Sequence, residues 1–182
     1  MGKRSDFERL PRDYYKTPKK ALEPLIRHLP AGVRFSEPCA GDGQLIHYLT
    51  ELRPDIEVGN VSDLLPQESP WGIEIDKLDA YWYEAGDEDY IITNPPWDRR
   101  ILHELIIRFS DQKPTWLLFD SDWAYTKQAE PFMKRCGKVV AIGRVKWIEG
   151  TKTNGKDNSS WYLFDKHYEC PPSEFYGINT SV

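Results

Sequence analysis

The sequence of 182 residues predicts an α/β chain in which a mostly parallel sheet is covered by helices on both faces. Three observations point there. Short apolar runs rich in β-branched and aromatic residues alternate with segments whose apolar residues recur every three or four positions. The first run ends in a glycine-rich turn that leads into a helical pattern, and a later run stops at two consecutive prolines. In a sheet built from strand–helix units, both kinds of ending fall at the carboxyl edge, where ligands bind.

The elements follow in order. Residues 1–17 read as an irregular N-terminal arm. Pro18 suits the first turn of a helix, and Ala21, Leu22, Leu25, Ile26 and Leu29 then share one helical face until Pro30-Ala31-Gly32 ends it. Val33-Arg34-Phe35 opens a strand that runs into Glu37-Pro38-Cys39-Ala40-Gly41-Asp42-Gly43, and a helix with Leu45, Ile46 and Leu49 on one side follows. Residues 56–63 read as a second strand, 64–72 as a loop, and Trp71–Asp76 as a third strand. Tyr90-Ile91-Ile92-Thr93 is a buried strand, and residues 99–109 form an amphipathic helix. Trp116-Leu117-Leu118-Phe119 is another buried strand, with a helix expected around 126–135. Val139–Ile142 and Trp161–Phe164 are the last strands, joined by a polar loop over 148–159 that suits a mobile element, and the tail beyond Lys166 reads as irregular. The whole forms one domain, and no internal repeat is visible.

Composition narrows the function classes. No apolar run is long enough to span a bilayer, and the N-terminus lacks the apolar stretch of a signal peptide, so a soluble cytoplasmic protein without membrane contacts is expected. Cys39, Cys136 and Cys170 form no C-x-x-C pair, which argues for reduced thiols and against a zinc site; no metal is expected. The net charge is −5, against the basic balance usual for proteins that coat nucleic acid. The charge is uneven, however. Residues 1–20 hold seven Lys and Arg against three acids, residues 51–90 hold only Arg53 and Lys77 among many acids, and Arg144, Lys146, Lys152 and Lys156 form a second basic cluster. Such faces are often merely solvated, yet they also permit a local phosphate-binding surface.

The turn at Gly41-Asp42-Gly43 lets a ligand approach the backbone. Asp63 lies 20 positions after Gly43 at the end of the second strand, the place of a carboxylate that hydrogen-bonds a ribose. Glu74 is the competitor, but it leaves cramped space for the elements before Asn94, which favours Asp63. Asp79 then falls where it can accept from an adenine amino group, with Ala80 and Tyr81 beside the ring; it also suits a helix cap. No third glycine follows Gly43 and no Walker lysine is present, so neither a nicotinamide cofactor nor nucleotide hydrolysis is favoured.

Asn94-Pro95-Pro96-Trp97 is the most specific feature. The prolines stiffen the chain and leave no backbone N–H there. The Asn94 carboxamide oxygen and the Pro95 carbonyl can both accept from one NH₂ group. An aryl amine is a poor nucleophile because its lone pair is delocalised into the ring. Accepting both hydrogens draws that pair back onto nitrogen, which is catalysis by positioning and fixed dipoles. Trp97 offers a π-face for an extruded base. The same composition also occurs in proline-rich turns with a core tryptophan.

These motifs together resemble the class I S-adenosylmethionine-dependent methyltransferases that form N6-methyladenine in DNA, in particular small phage-encoded members with the gamma-like motif order. Tyr14-Tyr15-Lys16-Thr17-Pro18 resembles the N-terminal motif, Glu37 to Gly43 the main cofactor loop, and Asn94 to Trp97 the catalytic motif. Gly150 to Phe164 resembles the late polar loop and final antiparallel strand. The resemblance implies a Rossmann-like, mostly parallel seven-stranded sheet with an antiparallel last strand. It implies that Tyr15, Thr17 and Pro18 meet the methionine end of the cofactor and that Glu37 faces its amino group. Ala40, Gly41 and Gly43 would pass close to it, with Asp63 on the ribose and Asp79 and Ala80 at the adenine. Asn94, Pro95, Pro96 and Trp97 would handle the target. Cys39, inside the cofactor loop, is expected to pack rather than react.

Residues 110–182 leave little room for a separate target-recognition domain. Contacts to DNA, single- or double-stranded, are expected from Arg99 and Arg100 and from Lys152, Asn154 and Lys156, with a homodimer or a further partner as one way to extend the surface. Two rivals stand beside this expectation: a methyltransferase of RNA adenine or of a protein glutamine amide, and a non-catalytic module that binds nucleic acid or cofactor.

Overall fold

The computed structural model describes residues 14–148, 155, 157–168 and 173–178. Their centre is an eight-stranded sheet: β1 Arg34–Glu37, β2 Glu57–Asp63, β3 Asp76–Lys77, β4 Tyr90–Thr93, β5 Thr115–Asp120, β6 Cys136–Arg144, β7 Asn158–Phe164 and β8 Glu174–Tyr176. Their order across the sheet is β3-β2-β1-β4-β5-β7-β6-β8. Only β7 runs antiparallel to its neighbours, β5 and β6; the other pairings are parallel. The expected count of seven is therefore corrected to eight. The extra strand lies in the tail read as irregular, where Glu174, Phe175 and Tyr176 pair with Lys138, Val139 and Val140.

Alternation along the central strands divides the core between the two faces. Ile92, Leu118 and Trp161 pack on one face with Phe35, Leu45 and Leu49. Ile91, Leu117 and Tyr162 pack on the other with Leu105, Ile106 and Phe109. Because both faces are covered, β4 and β5 read in the sequence as continuous apolar runs. The helices are α1 Lys19–Leu22, α2 Gln44–Leu52, α3 Arg99–Ser110 and α4 Glu130–Met133. No helix among the described residues is long and apolar enough to cross a membrane.

Three expectations needed correction. The helix read from Pro18 to Leu29 is split by Pro24 into α1 and a 3₁₀ turn, Leu25–His28; proline removes a backbone donor and breaks the ladder. The third strand is only Asp76–Lys77, because Ile73 and Ile75 reach the core from a loop instead of from sheet positions. The helix expected around 126–135 is a series of short turns, Ser121–Tyr125 and Lys127–Ala129, leading into α4 with Pro131 at its start.

From β1 the chain moves outward through β2 and β3, then returns to β4 on β1's other side. This reversal opens a crevice at the carboxyl ends of β1 and β4, the place where doubly wound sheets bind ligands. Glu37 and Asn94 stand on its two sides, and Asp63 ends the adjoining β2.

Candidate active site

The crevice widens into a cavity of about 800 Å³. Of the residues singled out in the sequence, Tyr15, Thr17, Glu37, Ala40, Gly41, Asp63, Asp79, Ala80, Asn94, Pro96 and Arg100 line it. Pro18, Gly43, Pro95, Trp97 and Arg99 are not among the lining residues. Asp63 lines the cavity and Glu74, its competitor, does not. Lys152, Asn154 and Lys156 lie outside the described residues.

The wall below β1 and β2 is shaped by backbone geometry. Gly41 and Gly43 both have left-handed φ, +60° and +84°, a conformation glycine adopts without strain. A Cβ on Gly41 would stand 2.5 Å from the Tyr14 ring, so the close approach also requires glycine. Gly43 caps α2, and a Cβ there would meet Ile73. Asp63 uses both carboxylate oxygens to hold the loops: one accepts from the Gly41 N–H at 2.8 Å, the other from the Leu65 N–H at 2.8 Å. Each oxygen retains a further lone pair for a ligand hydroxyl.

Acids gather on this wall. Asp42 is ion-paired with Lys16 at 2.7 Å. Glu37 is buried, and its Oε2 has no hydrogen-bond partner among the described residues. Burial, reinforced by Asp63 and Asp42, pushes the Glu37 carboxyl well above its ordinary value. A cation delivered to this spot would relieve the repulsion. The Tyr14 hydroxyl, also buried and without a partner among the described residues, is pushed up to about 12 by desolvation and the same two aspartates. Burial and Asp63 push the Cys39 thiol up as well, which favours its neutral form. Cys39 and Cys136 are unbridged.

Asn94 follows β4 directly. Its Nδ2 donates to the Tyr15 carbonyl at 3.0 Å and to Thr17 Oγ1 at 3.2 Å, while its Oδ1 accepts from the Trp97 indole Nε1 at 3.1 Å. The same N–H reaches the Leu118 carbonyl at 3.1 Å. Gln44 Nε2 donates to the Thr17 carbonyl at 3.0 Å. The segment 15–17 is thereby tied both to the start of α2 and to Asn94.

A scan against protein-family models and a search of curated proteins found no match. Solved structures do match. A modification subunit of a putative type I restriction enzyme from Vibrio vulnificus aligns with TM-score 0.55 at 14% identity, over 92% of this chain and 48% of that one. A putative class I S-adenosylmethionine-dependent methyltransferase from Listeria monocytogenes gives 0.52 at 12%, over 90% and 62%. A dimethyladenosine transferase from Plasmodium falciparum gives 0.53 at 16%, over 84% and 63%. The fold is the Rossmann-like methyltransferase fold. The chain spans about half the length of the Vibrio subunit and less than two thirds of the other two.

On the methyltransferase fold, Asp79 sits just beyond β3, where its carboxylate accepts from the Tyr81 N–H at 3.0 Å and caps the turn Ala80–Trp82. Asp79 thus lines the cavity and caps this turn at once. Arg99 donates to Gln128 Oε1 at 2.6 Å, and Arg100 is held by Asp98 while its side chain stays 92% exposed at the rim. Sequence reasoning assigned no site role to Lys16, Gln44, Leu64, Leu65 or Glu104, which also line the cavity. Gln44 had a readable signal, its place directly after the glycine turn. The Lys16–Asp42 pair had none, because no periodicity links positions so far apart.

Proposed function

We propose that the chain transfers a methyl group from S-adenosylmethionine to the exocyclic amino group of adenine in DNA. The observation that carries this reading is the fixed carboxamide of Asn94, oxygen and amide ends set by separate partners, at the edge of an acid-lined cavity. When bound, the cofactor supplies an electrophilic methyl on a sulfonium centre. The free Oε2 of the buried Glu37 suits its ammonium, and Tyr15, Thr17 and Pro18 border the methionine end. Ala40, Gly41 and Gly43 allow close approach, Asp63 takes the ribose hydroxyls, and Asp79 with Ala80 takes the adenine.

The target's amino hydrogens are accepted by Asn94 Oδ1 and the Pro95 carbonyl, with Pro96 stiffening the turn and Trp97 offering its ring to the base. The amine nitrogen gains the methyl as the carbon–sulfur bond breaks with its electrons left on sulfur, and the surplus proton leaves the nitrogen for water. Arg99, Arg100, Lys152, Asn154 and Lys156 supply phosphate contacts. The choice of DNA rests on the Tyr-Lys-Thr-Pro and late-loop resemblance and on the restriction-modification neighbour.

Methyl-labelled cofactor, offered with DNA, RNA and protein in separate reactions, tests the reading. Label on adenine N6 in DNA is the expected outcome. Label in RNA or protein alone overturns the DNA assignment, and cofactor binding without transfer to any polymer leaves the non-catalytic module.

A further inference from the structure

We infer that the indole N–H of Trp97 is an orientation lock on Asn94, a positioning role separate from any stacking by its ring; the inference rests on the proposed methylation of an amino group. A carboxamide has nearly the same shape at both ends, and turned over it presents NH₂ where the site needs oxygen. What decides is the chemistry of the partners. The Tyr15 carbonyl can only accept, so it demands the amide end, and it lies 3.0 Å from Nδ2. The Thr17 hydroxyl, able to donate or accept, is indifferent. The indole N–H can only donate, so it demands the oxygen end, and it lies 3.1 Å from Oδ1. Two one-way partners on opposite ends leave one orientation.

The lock is anchored independently of Asn94. The same N–H is shared with the carbonyl of Leu118, a buried β5 residue paired with Trp161 of β7. The half-buried ring stands edge-on to Trp147, with centroids 5.4 Å apart and planes at 89°. Oδ1 keeps a second lone pair for the substrate amine, so the lock and the target need not compete. A phenylalanine at this position offers a face but no donor on that edge of the ring.

The test replaces the N–H without the shape. Substituting β-(3-benzothienyl)alanine at position 97 puts sulfur where the N–H was and keeps the bicyclic face. We expect kcat to fall roughly fivefold to tenfold with KM for the methyl donor unchanged, because the Tyr15 carbonyl still holds the amide end. Trp97→Phe should lose at least as much. Transfer by the benzothienyl variant at the wild-type rate, or faster, overturns the lock. A second readout does not depend on activity. Among the seven indole resonances, the one that disappears in Trp97→Phe should exchange slowly with solvent and should shift in Asn94→Ala. No shift overturns the lock even if transfer is intact. A shift in a protein that methylates nothing supports the lock and removes the methylation reading alone.

Discussion

On the β1–β2 side of the cavity, polar groups are fixed largely through the backbone. Asp63 takes two amide N–H groups, and Gly41 and Gly43 set the turn with left-handed φ. Beyond β4 the exposed cations are held by side chains instead: Arg99 by Gln128 and Arg100 by Asp98 at the rim. The first arrangement suits a small ligand of fixed shape and positive charge, met by groups that cannot move. The second suits a polymer whose phosphates vary in position, met by long side chains that exchange one partner for another. Asn94 lies between them and is held from both sides, by Tyr15 and Thr17 and by Trp97.

The sharpest break in this comparison is made at Asn94 itself. Asn94→Ala should lower transfer by about 10³-fold or more, the scale seen when a fixed dipole at a reacting group is removed. Cofactor affinity measured by calorimetry should fall far less, by about tenfold at most: Asp63 and the glycines still shape the β1–β2 wall, although Tyr15 and Thr17 lose their tie to Asn94. A large loss of cofactor binding in this variant would show that the two sides are not separable. Asp63→Ala should do the reverse. It removes the acceptor for two backbone amides and for the ribose, so cofactor affinity should fall roughly 10- to 100-fold. Unchanged affinity would remove Asp63 from the cofactor wall.

The two sides also differed in how far the sequence revealed them. Gly41, Gly43, Asp63 and Asn94 were legible because apolar runs mark the strand ends at which they stand, and glycine turns and strand-end polar groups fall there at the carboxyl edge of the sheet. The Lys16–Asp42 pair and the Leu118 carbonyl beneath Trp97 were not, since each depends on which strands become neighbours. An aromatic residue after Pro-Pro reads as a stacking face; only the placement of β5 shows that its N–H points inward. The same limit explains β8: Glu174-Phe175-Tyr176 is too short for alternation to register, and its partner is a strand far earlier in the chain.

Glu37 gives a smaller effect with a defined pH signature. Its folded carboxyl is raised above the ordinary value of 4.5 by burial first and by Asp63 and Asp42 next. The folded protein without cofactor therefore holds this proton more tightly than the unfolded chain does. The stability it contributes is full below the ordinary value and is lost as pH rises through the raised one. Glu37→Gln should then raise the melting temperature of the free protein near pH 7, by about 2–4 °C for each kcal/mol recovered in a chain of this length. Cofactor affinity should fall roughly tenfold in the same variant, because the ammonium loses its carboxylate. Wild-type affinity should climb with pH as Glu37 ionises, while the variant's should not. Melting curves with and without cofactor, between about pH 5 and pH 8, test all of this. A variant that melts lower at neutral pH would mean that the ionised carboxylate is already compensated in the free protein.

The smallest effect is expected on the proposed target side, because affinity for a polyanion is shared among many phosphate contacts. Lys152→Ala with Lys156→Ala should weaken DNA binding and reduce the slope of log affinity against log salt by up to about 2, near 0.9 for each phosphate no longer neutralised. Cofactor affinity should not move. Arg100→Ala should lower the slope by about 1 at most, since its guanidinium must first leave Asp98. Because cations on phosphates carry no sequence information, these variants should weaken all DNA sequences alike. A loss confined to particular sequences would instead place these cations against base edges, and the target side would then prove as closely fitted as the cofactor side. An unchanged salt slope in the double variant would move the DNA away from the late loop altogether and leave Arg99 and Arg100, at the start of α3, as the cations to test next.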